Sequence, residues 1–292
     1  MVGSVNIDTT VDVDHLPRPG ETIIASALRD ALGGKGANQA VAAARQGAPT
    51  AFVAAVGDEP GGHAALETIA AEGVDVSGCR RVPGAATGQA FISVDAAGAN
   101  TVIVAPGANA ALRPADVRVA DGAAIVLVQL EIPPDTVTAA LRAGRRAGAV
   151  TILNPAPARP LLGEWLGLCD ILVPNETEAA LLSEQEAPGA AADVLGRQLP
   201  RATIIVTCGA AGALVRPPDG SVRSLPAPRV EAVDTVAAGD AFCGVLAAAL
   251  ASGLTIADAV RRAIAGGAHA VTIAGALPSL PRLGDVTRLL AG

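Results

Sequence analysis

Three features of the chain predict an α/β protein, a Rossmann-like three-layer sandwich carrying a small β-sheet lid. From about residue 110 onward, short β-rich runs alternate with helical patterns, which argues for a parallel sheet with helices on both faces. Two stretches, residues 9–24 and 87–104, break that alternation and read as hairpins. At 292 residues, 51% of them hydrophobic, the chain can build one large core with a small appended layer. A single domain over residues 1–292 is therefore expected, with the lid segments inserted at about 9–24 and 87–104.

Each element has its own signal. A first central strand would run into Gly3-Ser4-Val5-Asn6, but only Met1 and Val2 stand ahead of it. That strand is expected to be short and less stable, as from a misassigned start codon or a trimmed chain. The first hairpin turns at Pro17, Pro19 and Gly20, and Gly33-Gly34-Lys35-Gly36-Ala37-Asn38 follows it as a turn leading into an Ala-rich helix over 39–46. A helix over 61–71 comes next. In the second hairpin, residues 91–95 and 101–104 flank Ala96-Ala97-Gly98-Ala99. The alternating half then reads strand 125–130, helix 135–147, strand 150–153, strand 171–173 and strand 203–207, with helices over 256–273 and 285–290.

Composition excludes several functions. The net charge is −7, from 28 Asp and Glu against 21 Lys and Arg, which opposes the broad basic footprint of a nucleic-acid binder. Cys79, Cys169, Cys208 and Cys243 are too widely spaced for a zinc or redox motif and read as small buried hydrophobes in a reducing compartment. Acidic Asp8, Asp12 and Asp14 precede any long apolar run, so no signal peptide is expected, nor any membrane span; the expected location is the cytoplasm.

The most informative segment is Val233-Asp234-Thr235-Val236-Ala237-Ala238-Gly239-Asp240. Its small residues run into the apolar pattern Phe242, Val245, Leu246, Ala249 and Leu250, placing Asp240 at a helix start. There, backbone N–H groups can hold a developing anion while the carboxylate takes a proton beside them, which is what phosphoryl transfer to a hydroxyl needs. Taken alone, the segment reads better as an Asp cap on an ordinary helix.

Together with Gly33 to Asn38, this segment resembles the two signatures of the ribokinase (PfkB) family of carbohydrate kinases. The likeness extends through Gly3 to Asp8, Pro106-Gly107-Ala108-Asn109-Ala110, Asn154-Pro155-Ala156-Pro157-Ala158-Arg159 and Pro174 to Glu178. It implies ATP-dependent phosphorylation of D-ribose at O5, giving D-ribose 5-phosphate and ADP. Asp240 would be the catalytic base, with the N–H groups of Ala237, Ala238 and Gly239 as the anion hole. Asn6, Asp8, Gly34, Lys35, Asn38, Glu131 and Asp240 match sugar-binding positions. Asn175, Thr207, Gly209, Gly212 and Gly239 match nucleotide positions, and Glu178 would organise Mg²⁺ through water. Asp234, Val236, Ala270, Ile273, Gly275 and Ser279 match a site for K⁺, so activation by K⁺ over Na⁺ is expected. The resemblance also implies that the lid covers the sugar and forms a homodimer contact. It departs at Ile264, an aliphatic residue where a polar one often meets adenine, and His269 one turn on reads as a helix residue.

Single residues keep plainer readings: Asn6 and Asp8 as turn residues, Asn38 as a helix cap, Glu131 as a solvated carboxylate, Asn175 to Glu178 as a helix start. The alternatives at this level are a kinase acting on deoxyribose, fructose, 2-keto-3-deoxygluconate or a nucleoside, and a non-catalytic sugar-binding regulator. A dinucleotide oxidoreductase lacks its GxGxxG after the first strand, and a P-loop enzyme lacks Ser or Thr after Gly-Lys.

Overall fold

The computed structural model describes residues 1–161 and 163–291. The lid is laid down first. β1 (Asn6–Val13) and β2 (Ala27–Gly33) pair antiparallel, with Asn6 opposite Gly33 and Asp12 opposite Ala27. The expected turn at Pro17 to Gly20 lies within their connection, but the returning strand begins beyond residue 24. β2 escapes sequence reading because five of its seven residues are exposed, so no buried alternation marks it.

α1 (Lys35–Arg45) starts inside the GGKGAN segment, four residues earlier than the sequence suggests, and Gly34 caps it at φ +90°. Gly36 lies so close to the backbone of Gly3 and Ser4 that a Cβ there would sit 2.4 Å from the Ser4 nitrogen. These two glycines let the helix start press against the chain that leads into β1.

β3 (Thr50–Ala51) and β4 (Ala55–Gly57) precede α2 (Pro60–Ala71), and pair with β5 (Val74–Asp75) and β6 (Arg80–Val82) respectively. β7 (Gly88–Asp95) and β8 (Asn100–Ala105) then complete a four-stranded lid in the order β2-β1-β7-β8. Here β1 and β7 run parallel, while β7 and β8 form the expected hairpin.

The remaining chain builds the main sheet: β9 (Ile125–Gln129), α3 (Pro134–Arg146), β10 (Val150–Asn154), β11 (Ile171–Leu172), α4 (Glu176–Ser183), α5 (Pro188–Gln198), β12 (Thr203–Thr207), β13 (Ala213–Arg216) and β14 (Arg223–Leu225). The strand order is β14-β13-β12-β11-β10-β9, parallel from β9 to β12. The first central strand is reduced to Val2, which bridges Val53 on one side and Val128 on the other.

Alternate side chains of these strands feed two cores. Val126, Val128, Leu153, Ile204 and Val206 pack with Val137, Leu141, Ala179, Ala191 and Leu195 of α3, α4 and α5. Leu127, Ile152 and Ile205 face the opposite way, onto Phe242, Leu246, Val260 and Ile264 of α6 (Ala238–Ala251) and α7 (Ile256–Ala270). The three-layer sandwich follows from strands buried on both faces.

α7 stops at Ala270, short of the expected residue 273. The Val271 carbonyl instead accepts the N–H groups of Val233 and Asp234, at 2.7 and 3.1 Å, so the backbone turns away to meet the loop before α6. α8 (Ala276–Ser279) and α9 (Leu283–Ala291) follow, and none of the described helices is long and apolar enough to cross a membrane.

Candidate active site

The carboxyl ends of β9, β10 and β12 converge on the start of α6. Asp240 is buried there, 6% exposed, in the third position of the helix. It is not the cap: that position belongs to Ala237, held in the left-handed region at φ +59° with no side-chain cap bond. Among the described residues, no acceptor meets the N–H groups of Ala237, Gly239 or Asp240, while that of Ala238 makes a long 3.4 Å bond to the Thr235 carbonyl. A helix N-terminus with open donors and positive dipole beside a buried carboxylate suits an anion held next to a proton acceptor.

One side of Asp240 faces nucleotide-sized space. Lys35, Asn154, Asn175, Glu178, Thr207 and Cys243 surround a polar recess of about 180 Å³ with Ala237, Gly239 and Asp240. Through Thr207, Thr235 and Gly239 it adjoins a larger recess of about 560 Å³, which Gly209, Gly212 and the apolar wall Phe242, Ile264, Ala268 and Val271 complete. Ile264 therefore contributes packing surface to the larger recess, outside the polar one. His269 lies in α7, 3.8 Å from the Asp285 carboxylate.

Charge is concentrated in the small recess. Asp240 foremost, then Glu131 and Glu178, raise the Lys35 ammonium above its ordinary value, keeping it charged despite burial. Burial pushes the Glu178 carboxyl up, against the Asn175 N–H and Lys35. Glu178 also accepts the Asn175 N–H at 2.9 Å, and Asn175 accepts that of Glu178 at 2.7 Å, a reciprocal capping box. The plain reading of this segment as a helix start thus holds alongside its place in the recess. With Glu178 lining a recess of phosphate size, the oxygen donors fit a Mg²⁺ held largely by phosphates and water.

Apart from Lys35, which lines the small recess, the sugar-binding candidates gather on the other side. Asn38 donates Nδ2 to Asp240 Oδ2 at 3.0 Å. That donation fixes the orientation of its amide and leaves Oδ1 buried with no partner among the described residues. Asn38 is inside α1 and is no cap. Glu131 is not simply solvated, since it accepts the Lys35 N–H at 3.0 Å and the Ser4 hydroxyl. Asp8 lies against Gly33, where a Cβ would fall 2.0 Å from its Oδ2. Burial, then Glu131 and Asp240, push its carboxyl up to about 6. Asn6, 3% exposed, accepts from Asn109 Nδ2 at 2.8 Å, and Asn109 also clasps the backbone of Val5 from both sides.

A profile described as pfkB family carbohydrate kinase matches residues 1–283. The chain belongs to this family. The kinase is similar to a ribokinase of Haemophilus influenzae, 38% identical over 291 residues that cover 96% of this chain and 94% of the relative. A crystal structure of ribokinase from Thermotoga maritima matches with a TM-score of 0.91 at 36% identity, covering 100% of this chain and 98% of that one. The structure of Arabidopsis thaliana ribokinase complexed with ribose and ATP matches with the same TM-score at 31% identity, covering 100% and 97%. The kinase is thus a phosphotransferase that acts on a sugar hydroxyl.

Behind the recess, the kinase joins two loops through Asp234. Its Oδ1 accepts the Val236 N–H at 3.0 Å and its Oδ2 that of Gly275 at 2.8 Å. Of the other expected cation-site residues, the Ala270 carbonyl accepts the Ile273 N–H, and buried Ser279 donates to the Ala276 carbonyl at 2.8 Å. Asp234 thus ties the turn ahead of α6 to the loop at Gly275.

Three buried amides escaped the site as read from sequence. Gln39, Gln129 and Asn154 lie in one hydrogen-bonded line running to Asp240. The available signal was the Gln that ends the apolar run Ile125-Val126-Leu127-Val128, since a buried amide needs a partner; Gln39 in its Ala-rich helix carried none.

Proposed function

We propose that this kinase phosphorylates D-ribose at O5, giving D-ribose 5-phosphate and ADP. The observation that carries the reading is the position of Asp240: the amide of Asn38 lies on one side of it and the open N–H groups of the α6 start on the other. The likeness to ribokinases, one of them complexed with ribose and ATP, supports ribose as the sugar.

In this reading Asp240 takes the proton of the O5 hydroxyl as that oxygen bonds to the γ-phosphorus and the bond to the β–γ bridging oxygen breaks, releasing ADP. The N–H groups of Ala237, Ala238 and Gly239 stabilise the transferring phosphoryl, and the free N–H of Asp240 adds a further donor. Asn6, Asp8, Gly34, Asn38 and Glu131 hold the sugar. Lys35 lines the phosphate side of Asp240, so it neutralises the phosphoryl group between sugar and nucleotide. Asn175, Thr207, Gly209, Gly212 and Gly239 contact the nucleotide. Glu178 would hold Mg²⁺ through water, and that ion supplies charge neutralisation on the phosphates when bound. Asp234, Val236, Ala270, Ile273, Gly275 and Ser279 would hold K⁺, whose charge would order the turn ahead of α6.

The unit is one domain with the lid inserted, and the kinase works as a homodimer through that lid. Leu28, Phe91, Val102, Ile103 and Val104 expose apolar surface on it, between 45% and 69% each, and such a patch calls for a partner. All four cysteines are free, which suits a reducing cytoplasm.

An assay of ADP release over ribose, deoxyribose, fructose, 2-keto-3-deoxygluconate and a nucleoside, in potassium and in sodium salts, tests this reading. Ribose should give the highest kcat/KM, with faster turnover in K⁺. A tenfold preference for another acceptor would replace ribose, and equal rates in both salts would remove the cation site.

A further inference from the structure

We infer that Gln39 is a positioning residue for phosphoryl transfer: it fixes the carboxylate of Asp240 in the plane and rotamer in which Oδ2 meets the acceptor hydroxyl. This rests on the assignment of Asp240 as the base. Gln39 touches neither recess and is fully buried in α1. Its Nε2 donates to Asp240 Oδ1 at 2.9 Å and to Asn154 Oδ1 at 3.0 Å, using both protons. Its Oε1 accepts Gln129 Nε2 at 2.6 Å. Asn154 is itself held by donating Nδ2 to the Val173 carbonyl at 2.8 Å.

The orientation of each amide is therefore dictated by the next. Val173 sets Asn154, Asn154 sets Gln39, and Gln39 sets both Asp240 and Gln129, whose own Oε1 meets no partner among the described residues. Gln129 and Asn154 end β9 and β10, so the rigid sheet reaches the reacting carboxylate through Gln39. Asn38 holds only Oδ2, and one hydrogen bond leaves a carboxylate free to rotate about its Cβ–Cγ bond; the second bond at Oδ1 removes that freedom. A reacting oxygen misplaced by about 1 Å can cost on the order of 100-fold in rate, so the restraint bears on kcat and not on substrate affinity.

The test uses Gln39→Met, near in shape but without the amide, with Gln39→Met/Gln129→Met to remove the donor that the single change leaves unpartnered. The expected result is a kcat roughly 10- to 100-fold lower in both variants, with KM for ribose and ATP within about threefold. Tm should recover in part in the double variant, since Asn154 Oδ1 still lacks its donor, while kcat stays low. If kcat instead returns with Tm, the role is structural; if a folded double variant turns over within threefold of the parent, the inference fails. Adding Gln39→Met to Asp240→Asn should lower the residual rate no further; a further tenfold drop would show that Gln39 acts apart from Asp240. A turnover-competent Asp240→Asn would overturn the assignment of the base, and the two failures are separate.

Discussion

Two helices, α4 and α6, begin at the same recess, and their first turns are closed in opposite ways. α4 satisfies itself: Asn175 and Glu178 exchange side-chain and backbone hydrogen bonds, each taking up the other's N–H. α6 opens on Ala237 in a left-handed conformation with no capping side chain, and three N–H groups of its first turn have no partner among the described residues. An Asn cap stabilises by about 1 kcal/mol, and a left-handed alanine costs roughly 1–2 kcal/mol, so α6 begins at a disadvantage of a few kcal/mol relative to α4. Stability forgone at one helix start, next to one that retains it, marks where the fold serves a ligand.

The strongest way to break this comparison is at Asp240. Asp240→Asn should lower kcat about 10²- to 10⁴-fold, the usual contribution of general-base catalysis. The fold should survive, because Asn38 can turn its amide over: its Oδ1 now lacks a partner and could accept from the new Asn. Steady-state ADP release and thermal melts check both halves. A variant that keeps its Tm and its kcat would make the α6 start a structural feature like that of α4.

Asp8 extends the contrast to the sugar side. Its folded-state carboxyl is raised from an ordinary 3.8 to about 6, chiefly by burial. Between those two values the folded chain binds more protons than the unfolded one, so stability falls as pH rises through that window, and the whole penalty is present above 6. The shift corresponds to roughly 1–3 kcal/mol, at 1.36 kcal/mol per unit with allowance for partial exposure. Asp8→Asn should therefore raise Tm at pH 7.5, leave it nearly unchanged near pH 4, and lower kcat/KM for ribose. A flat difference in Tm across that range would show that Asp8 does not bear this burial cost.

What the sequence made legible follows the same division. Strands buried on both faces were plain as continuous apolar runs, and residues 203–207 coincide with β12. β2 was not, since its exposed residues carry no alternation. Asp240, Asn38 and Glu178 stood out because each lies in a compact local motif. Gln39 did not: its partners Gln129 and Asp240 are 90 and 201 residues away, and in sequence a lone Gln in an Ala-rich helix is indistinguishable from a solvent-facing one. Asn109, which holds Asn6 across 103 residues, escaped assignment to a role for the same reason. Local turns and burial patterns are written in neighbouring residues, whereas an amide network exists only after the sheet has brought distant segments together.

The smallest effects test the two helix starts directly, by changing the cap residue of each. Asn175→Ala removes the side-chain acceptor of α4 and leaves the Glu178 N–H open, so it should lower stability by about 1 kcal/mol. Ala237→Gly relieves the left-handed alanine of α6 at the cost of a more flexible unfolded chain, which offsets about 0.4–1 kcal/mol of the gain. It should raise stability by up to about 1 kcal/mol. Urea unfolding of the two variants should therefore shift the midpoint in opposite directions without changing the slope. Were Ala237→Gly to destabilise instead, the strain ascribed to α6 would be absent, and its open N–H groups would have to be explained without a stability cost.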